Sequence, residues 1–161
     1  MIKAKIIEKG SPRMKAREYN ALVKQTLKEV GEFWFHNMLP RHFEEGAGRR
    51  YGYTGRAGLY TKTKNRKVGH KKPLVFTGRM QRELQQSYRL GGTSNKMVVT
   101  MYGPPYTNMR RQKKKGGDPI NKVAEITAVT KAEIRILEKE VERRLGLALN
   151  RDGSKTITTR I

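Results

Sequence analysis

The sequence predicts an α+β fold: a long N-terminal helix, a short second helix and a C-terminal helix packed on a small antiparallel sheet, with long basic loops. Three observations predict it. Apolar residues recur at spacings of three and four from Tyr19 to Met38, and again from Ile134 to Ala148. Between these stripes lies the β-rich run Met97-Val98-Val99-Thr100-Met101-Tyr102, preceded by Tyr88-Arg89-Leu90, the Gly91-Gly92 pair and a polar turn. Two helical stripes around a hairpin signal place the chain in the mixed class.

The 161 residues suit one domain spanning the whole chain. Hydrophobic residues make up 35% of them, so the expected core is modest, and much of the chain is left to surface, extended loop or intersubunit contact. The first segment, Ile2 to Ile7, alternates Ile2, Ala4 and Ile6 as a short strand does, and Gly10 breaks it. Ser11 then reads as a helix N-cap with Pro12 at the first helical position, where its missing N–H costs nothing. The stripe that follows is Tyr19, Leu22, Val23, Thr26, Leu27, Val30, Phe33, Trp34 and Met38, ended by Pro40. Phe33-Trp34-Phe35 is the largest expected contribution to the core.

Residues 41–72 lose this periodicity and read as a long basic loop. Arg41, Arg49, Arg50, Arg56, Lys62, Lys64, Arg66, Lys67, Lys71 and Lys72 are opposed only by Glu44 and Glu45. With so few aliphatic residues the segment is expected to be mobile alone and to order on assembly. Pro73-Leu74-Val75-Phe76 restores apolar character. Thr77 is expected to cap a second helix reaching Tyr88, with Met80, Leu84 and Tyr88 on one face. After the hairpin, Gly103-Pro104-Pro105 stops the strand, and 104–119 forms a second basic loop holding Arg110, Arg111, Lys113, Lys114 and Lys115. Thr130-Lys131-Ala132-Glu133 is a capping box, and behind it Ile134, Leu137, Val141, Leu145 and Ala148 stripe the last helix. Residues 150–161 read as a polar tail whose Ile157, Thr159 and Ile161 alternate, as a strand added to a neighbour or to the chain's own sheet would.

Charge narrows the partners. Thirty-six Lys and Arg face 14 Asp and Glu, a formal net charge of +22. Such a field repels its own copies and attracts polyanions, nucleic acid first. No apolar run nears the ~20 residues that span a bilayer, and Met1 to Lys5 open no secretory segment; no membrane partner is expected. With no cysteine, disulfides and thiolate metal sites are excluded.

The chemistry-bearing residues are sparse. His36 and His42 stand six apart across Pro40 and match no helical metal pair, and His70 is isolated. Glu125, Glu133, Glu138, Glu140 and Glu142 lie on or near the last helix, where Glu138 and Glu142 read as an exposed charged face. No acidic constellation for a Mg²⁺ nuclease is evident. Gly52, Gly55 and Gly58 fit no phosphate-loop spacing. No catalytic, metal-binding or cofactor-binding residue is therefore assigned, no cofactor is expected, and the protein reads as not an enzyme.

The informative stretch is Arg49-Arg50-Tyr51-Gly52-Tyr53-Thr54-Gly55-Arg56-Ala57-Gly58-Leu59-Tyr60. Its cations and rings suit phosphates and bases, or equally the anchors of a protein–protein interface. The candidates for a DNA-facing or interface role are Arg49, Arg50, Tyr51, Tyr53, Arg56, Tyr60, Lys62, Lys64, Arg66, Lys67, Arg110, Arg111, Lys113, Lys114 and Lys115.

The order of motifs adds a family. A long amphipathic helix with Trp34 is followed by His42-Phe43, by Arg50-Tyr51-Gly52-Tyr53 with Arg56 and Tyr60, by Pro73-Leu74-Val75-Phe76-Thr77-Gly78-Arg79-Met80, and by a hairpin ending Tyr102-Gly103-Pro104-Pro105-Tyr106. This set, from about Gly31 to Leu149, resembles the tail-completion, or virion-morphogenesis, proteins of the head–tail connector (neck) of tailed bacteriophages. The resemblance implies a structural virion protein of the neck and tail, made in the host bacterial cytoplasm. Identical subunits would close a homo-oligomeric ring, of about six or twelve copies, between the portal or an adaptor and the tail-tube proteins, with nonspecific DNA passing through. Adaptor, stopper and tail-terminator roles share such folds. The other reading is a nonspecific nucleic-acid-binding protein, ribosome- or nucleoid-associated.

Overall fold

The computed structural model describes residues 2–3, 5–8, 15–56, 58–107, 120–151 and 157–160. The fold is α+β, as the patterning predicts, with six α-helices among the described residues. The chain divides into two compact units, one of 1–35, 89–100 and 131–161, the other of 36–88 and 101–130.

The first unit is built by the two long stripes. Helix α1, Ala16–Asn37, buries Val23, Thr26, Leu27, Val30, Gly31 and Trp34 on one face. Ser11 and Pro12, expected to cap it, lie outside the described residues; Lys15 N–H donates to the Glu18 carboxylate at 3.3 Å in the first turn. The last helix, Lys131–Arg151, starts directly after Thr130 and buries Glu133, Leu137, Val141, Leu145 and Leu149. These lie every four residues, so Leu149 takes the place expected for Ala148. Each fully buried Leu or Val is worth about 1.5–3 kcal/mol.

The hairpin is present as β3, Tyr88–Thr93, and β4, Lys96–Met101. Strand β1, Ile2–Lys3, adds antiparallel to β4 with Ile2 opposite Met97, giving the order β1-β4-β3. A second sheet pairs β2, Lys5–Glu8, antiparallel with β5, Ile157–Arg160. The C-terminal alternation thus closes on the chain's own N-terminal strand, and 150–161 holds the end of a helix and a strand rather than a plain tail. Helix α1 meets the hairpin at Gly31. A Cβ there would stand 3.2 Å from side-chain atoms of Leu90 and Met97 and 3.4 Å from Val99. The bare glycine lets backbone and sheet side chains approach, at a helix-propensity cost of about 1 kcal/mol.

Charged groups bind the two long helices of this unit. Arg144 donates Nη1–H to Glu29 on α1 and Nε–H to Glu140 on its own helix, both at 2.7 Å. Arg143 holds Glu140 with two further bonds of 2.7 and 3.0 Å. The Arg143 guanidinium, helped by Arg144, draws the Glu140 carboxyl from 4.5 down to about 2.

In the second unit, Pro40 does end α1, and the chain turns into a 3-10 helix, Leu39–Phe43. The core here is Met38, Leu39, Phe43, Ala47, Val75, Met80, Leu84 and Ile126. The expected structureless stretch 41–72 is corrected: it carries α2, Ala47–Arg50, and α3, Gly58–Val68. The short helix after it, α4, spans Arg79–Gln86 and buries Met80 and Leu84. Its N-cap is Gly78 at φ 77° rather than Thr77, a conformation glycine reaches at little cost. Tyr88 lies on β3, beyond the helix. Of the 104–119 loop, Pro105–Thr107 form a 3-10 turn. Gly103 is needed beside it, since a Cβ would meet Leu84 at 2.8 Å. Helix α5, Lys122–Ile126, is capped by Asn121, whose Oδ1 accepts from Ala124 N–H at 3.1 Å.

Candidate nucleic-acid interface

The arginine–tyrosine stretch is spent largely on the fold of the second unit. His42 sits on the 3-10 helix and is wholly buried. Its ring lies flat on that of Tyr51, with centroids 3.8 Å apart and planes 13° from parallel. His42 Nδ1 is 2.6 Å from the Tyr53 hydroxyl and 3.1 Å from the backbone carbonyl of Glu125. A carbonyl only accepts, so this pattern assigns the proton to Nδ1. The Tyr53 hydroxyl then accepts from Nδ1 and donates to the His42 carbonyl at 3.4 Å. A histidine, two tyrosines and a backbone carbonyl replace the aliphatic contacts that this segment lacks.

Glu125 completes the cluster from α5. Its side chain is 6% exposed. Arg56 Nη1–H and Nη2–H donate to its two oxygens at 2.9 and 2.5 Å, and Thr54 N–H donates at 3.1 Å. Arg56 also donates to the Thr54 carbonyl at 2.7 Å. A buried carboxylate is tolerable with such a bidentate partner and a backbone donor. Patterning places Glu125 on or near the last helix; it sits shortly before it, on α5, and is buried. The available signal was Asn121, an N-cap residue four positions before Glu125.

The candidate residues therefore separate. Tyr51, buried with its ring stacked on His42, is corrected from a surface contact to an internal one, and the half-buried Tyr53 and Arg56 are engaged by His42 and by Glu125. Lys64 is also corrected. It is 4% exposed and its ammonium donates to the Lys72 carbonyl, tying α3 to the turn that follows. Burial lowers its pKa below 10.5, and the Arg56 charge lowers it further. Arg50 forms an exposed pair with Glu44 at 3.3 Å, of a kind worth little. Arg110, Arg111, Lys113, Lys114 and Lys115 lie outside the described residues.

The remaining candidates face solvent. Arg49, Tyr60, Lys62, Arg66 and Lys67 are exposed, as are Lys71 and Lys72. Leu59, Lys62 and Arg66 follow at helical spacing along the outer face of α3. No acidic residue occurs between Glu45 and Glu83, and the side chains of Lys62, Arg66, Lys67, Lys71 and Lys72 form no salt bridge among the described residues, although the Lys71 backbone N–H donates to the Glu45 carboxylate at 3.4 Å. A row of cations with so few carboxylates near it, along α3 and the segment after it, is an attractive surface for a polyanion.

Beside this row lies an apolar corner. Leu59 is 79% exposed, Tyr60 43% and Phe76 39%, with the two rings 6.5 Å apart and tilted by 33°. Phe76 is presented by a tight turn in which Val75 N–H donates to the Pro73 carbonyl at 2.7 Å. Leu74 at its centre has φ 58°, a left-handed conformation rare outside glycine. Val75 points into the core.

Among the described residues, no group of three His, Asp or Glu side chains is placed to hold a metal ion, and no helix is long and apolar enough to cross a membrane. No family model, no curated protein and no solved structure matches the chain.

Proposed function

We propose that this chain is a non-catalytic structural protein that lies against DNA, and that its setting is the neck of a tailed-phage particle, as one subunit of a ring joining the portal or an adaptor to the tail. The exposed cationic row of α3 and the Lys71-Lys72 turn carries the DNA-facing part of this reading. Its residues contact phosphate by charge, so the genome slides past without a fixed register. The neck setting is supported by the ordered set of motifs from Trp34 to Tyr106. A ring of subunits that each carry +22 needs a polyanion in its lumen to offset their mutual repulsion.

The same cationic row suits a free-standing nucleic-acid-binding protein. Electron microscopy of the purified chain, with and without duplex DNA, separates the two. Closed rings with a central passage are the expected result. Monomers that coat DNA irregularly would replace the neck reading with the second one. Incubation with plasmid DNA and Mg²⁺ or Mn²⁺ is expected to leave the DNA uncut, and cleavage abolished by a Glu or His substitution would overturn both.

A further inference from the structure

From the apolar corner on α3 we infer that Leu59, Tyr60 and Phe76 form a seat for an acidic segment of another protein that carries apolar side chains. Such a seat adds a protein ligand to the surface whose cations are proposed to face DNA, and it does not need the neck setting. Leu59 and Tyr60 are exposed at the start of α3, and the exposed ring of Phe76 lies beside that of Tyr60. An exposed pair of rings next to an exposed leucine is the kind of apolar surface that serves interaction. The chain accepts a left-handed Leu74 in order to bury Val75 and leave Phe76 outside, next to Tyr60. A backbone strained at a surface turn is characteristic of functional positions.

Charge identifies the occupant. Lys62 and Arg66 continue along the same face from Leu59, and Lys71 and Lys72 precede the turn that carries Phe76. A segment seated here would meet apolar contacts at the corner and cations beside it. A second copy of this chain is a poor fit. It carries +22, and its carboxylates at Glu29, Glu44, Glu83, Glu125 and Glu140 are already engaged by arginines. Duplex DNA supplies anions but no apolar surface for Leu59. The 33° tilt between Tyr60 and Phe76 forms no parallel slot for an unpaired base. An acidic protein segment with Leu or Phe side chains satisfies both features.

The test uses the full chain, isotope-labelled, and three probes followed by NMR: a short peptide of alternating Glu and Leu, a poly-Glu peptide of equal length, and single-stranded oligo-dT. The Glu-Leu peptide is expected to move the Leu59, Tyr60 and Phe76 signals most, and to bind about tenfold more tightly than poly-Glu. The Tyr60→Ser/Phe76→Ser variant should lose that tenfold difference and keep its poly-Glu affinity. Both positions are exposed, and circular dichroism reports whether the variant is folded; the wild-type map stands without it. Equal binding of the two peptides to the wild-type chain would overturn the seat. So would oligo-dT moving Tyr60 and Phe76 at lower concentration than the Glu-Leu peptide, which would make the corner a base-stacking surface.

Discussion

Arg56 grips Glu125 with both terminal guanidinium nitrogens, at 2.9 and 2.5 Å, across 69 residues of sequence. The pair fastens the glycine-rich segment after α2 to α5, and the carboxylate it neutralises is almost fully buried. Removing one partner of such a pair costs more than removing both, because a lone buried charge remains.

Arg56→Met is therefore expected to destabilise the protein by about 3–5 kcal/mol. The double variant Arg56→Met/Glu125→Leu should recover most of that loss. Urea unfolding of the three proteins measures both quantities. A single variant as stable as the parent would mean that the pair does not form in solution.

Tyr53 and Tyr60 belong to the same stretch and have opposite fates. The Tyr53 hydroxyl is held between His42 Nδ1 and the His42 carbonyl, whereas Tyr60 is exposed. Tyr53→Phe is expected to cost about 0.5–1.5 kcal/mol by removing the hydroxyl bonded to His42 Nδ1 and to the His42 carbonyl, and Tyr60→Phe to be close to neutral. Equal midpoints for the two variants in thermal unfolding would contradict the His42 network.

Such opposite fates limit how far the sequence can be read. The helices α1 and 131–151 and the hairpin are legible because Val23, Leu27, Val30 and Leu137, Val141, Leu145 repeat with the period of the element they build. The stretch 41–72 is not legible as structure. Its helices are held by His42, Lys64, Arg56 and a glutamate far along the chain, and pairings of that kind leave no periodic trace. For the same reason the cations of the candidate interface cannot be sorted by sequence. Lys62 and Lys64 are two residues apart, yet only Lys62 faces water. Thr77 has the residue type of a cap, but the backbone angle at Gly78 decides the role, and composition does not carry that angle.

Gly31 makes the packing of α1 on the hairpin testable. Gly31→Val would push methyl groups into Leu90 and Met97, which already stand 3.2 Å from where a Cβ would lie. The expected loss is about 1–3 kcal/mol, despite the removal of a mid-helix glycine. Chemical denaturation would read it, and a gain in stability would show that the hairpin yields.

Acid should loosen the clamp between the two long helices. The Glu140 carboxyl is drawn to about 2 by Arg143 first and then Arg144, and Glu29 is lowered mainly by its bond from Arg144. A carboxyl whose pKa is depressed on folding stabilises fully above its unfolded value, 4.5 for Glu140, and that contribution is lost as pH falls towards the folded value. Between about pH 4.5 and 2 the wild type should therefore lose more stability than Glu140→Gln. Parallel pH profiles for the two proteins would remove Glu140 from the clamp.

The cationic row should act on DNA through charge alone. Lys62, Arg66, Lys67, Lys71 and Lys72 are exposed and their side chains form no salt bridge among the described residues, whereas Arg56 and Lys64 are engaged within the fold. Replacing the five exposed residues by Ser should leave the fold intact and weaken binding to duplex DNA of any sequence. Each neutralised phosphate adds about −0.9 to the slope of log affinity against log salt, so the slope should flatten by about that amount for every phosphate the variant leaves bare. Replacing Arg110, Arg111, Lys113, Lys114 and Lys115 by Ser in a second variant apportions the remaining slope. If the α3 row faces the DNA passage, its variant should bind DNA less tightly and still close into rings. If the row grips a neighbouring protein, rings should fail to join their partners while DNA affinity and salt slope stay at the wild-type values. An unchanged affinity with an unchanged slope would remove α3 from the DNA-facing surface and leave the polyanion to other cations of the chain.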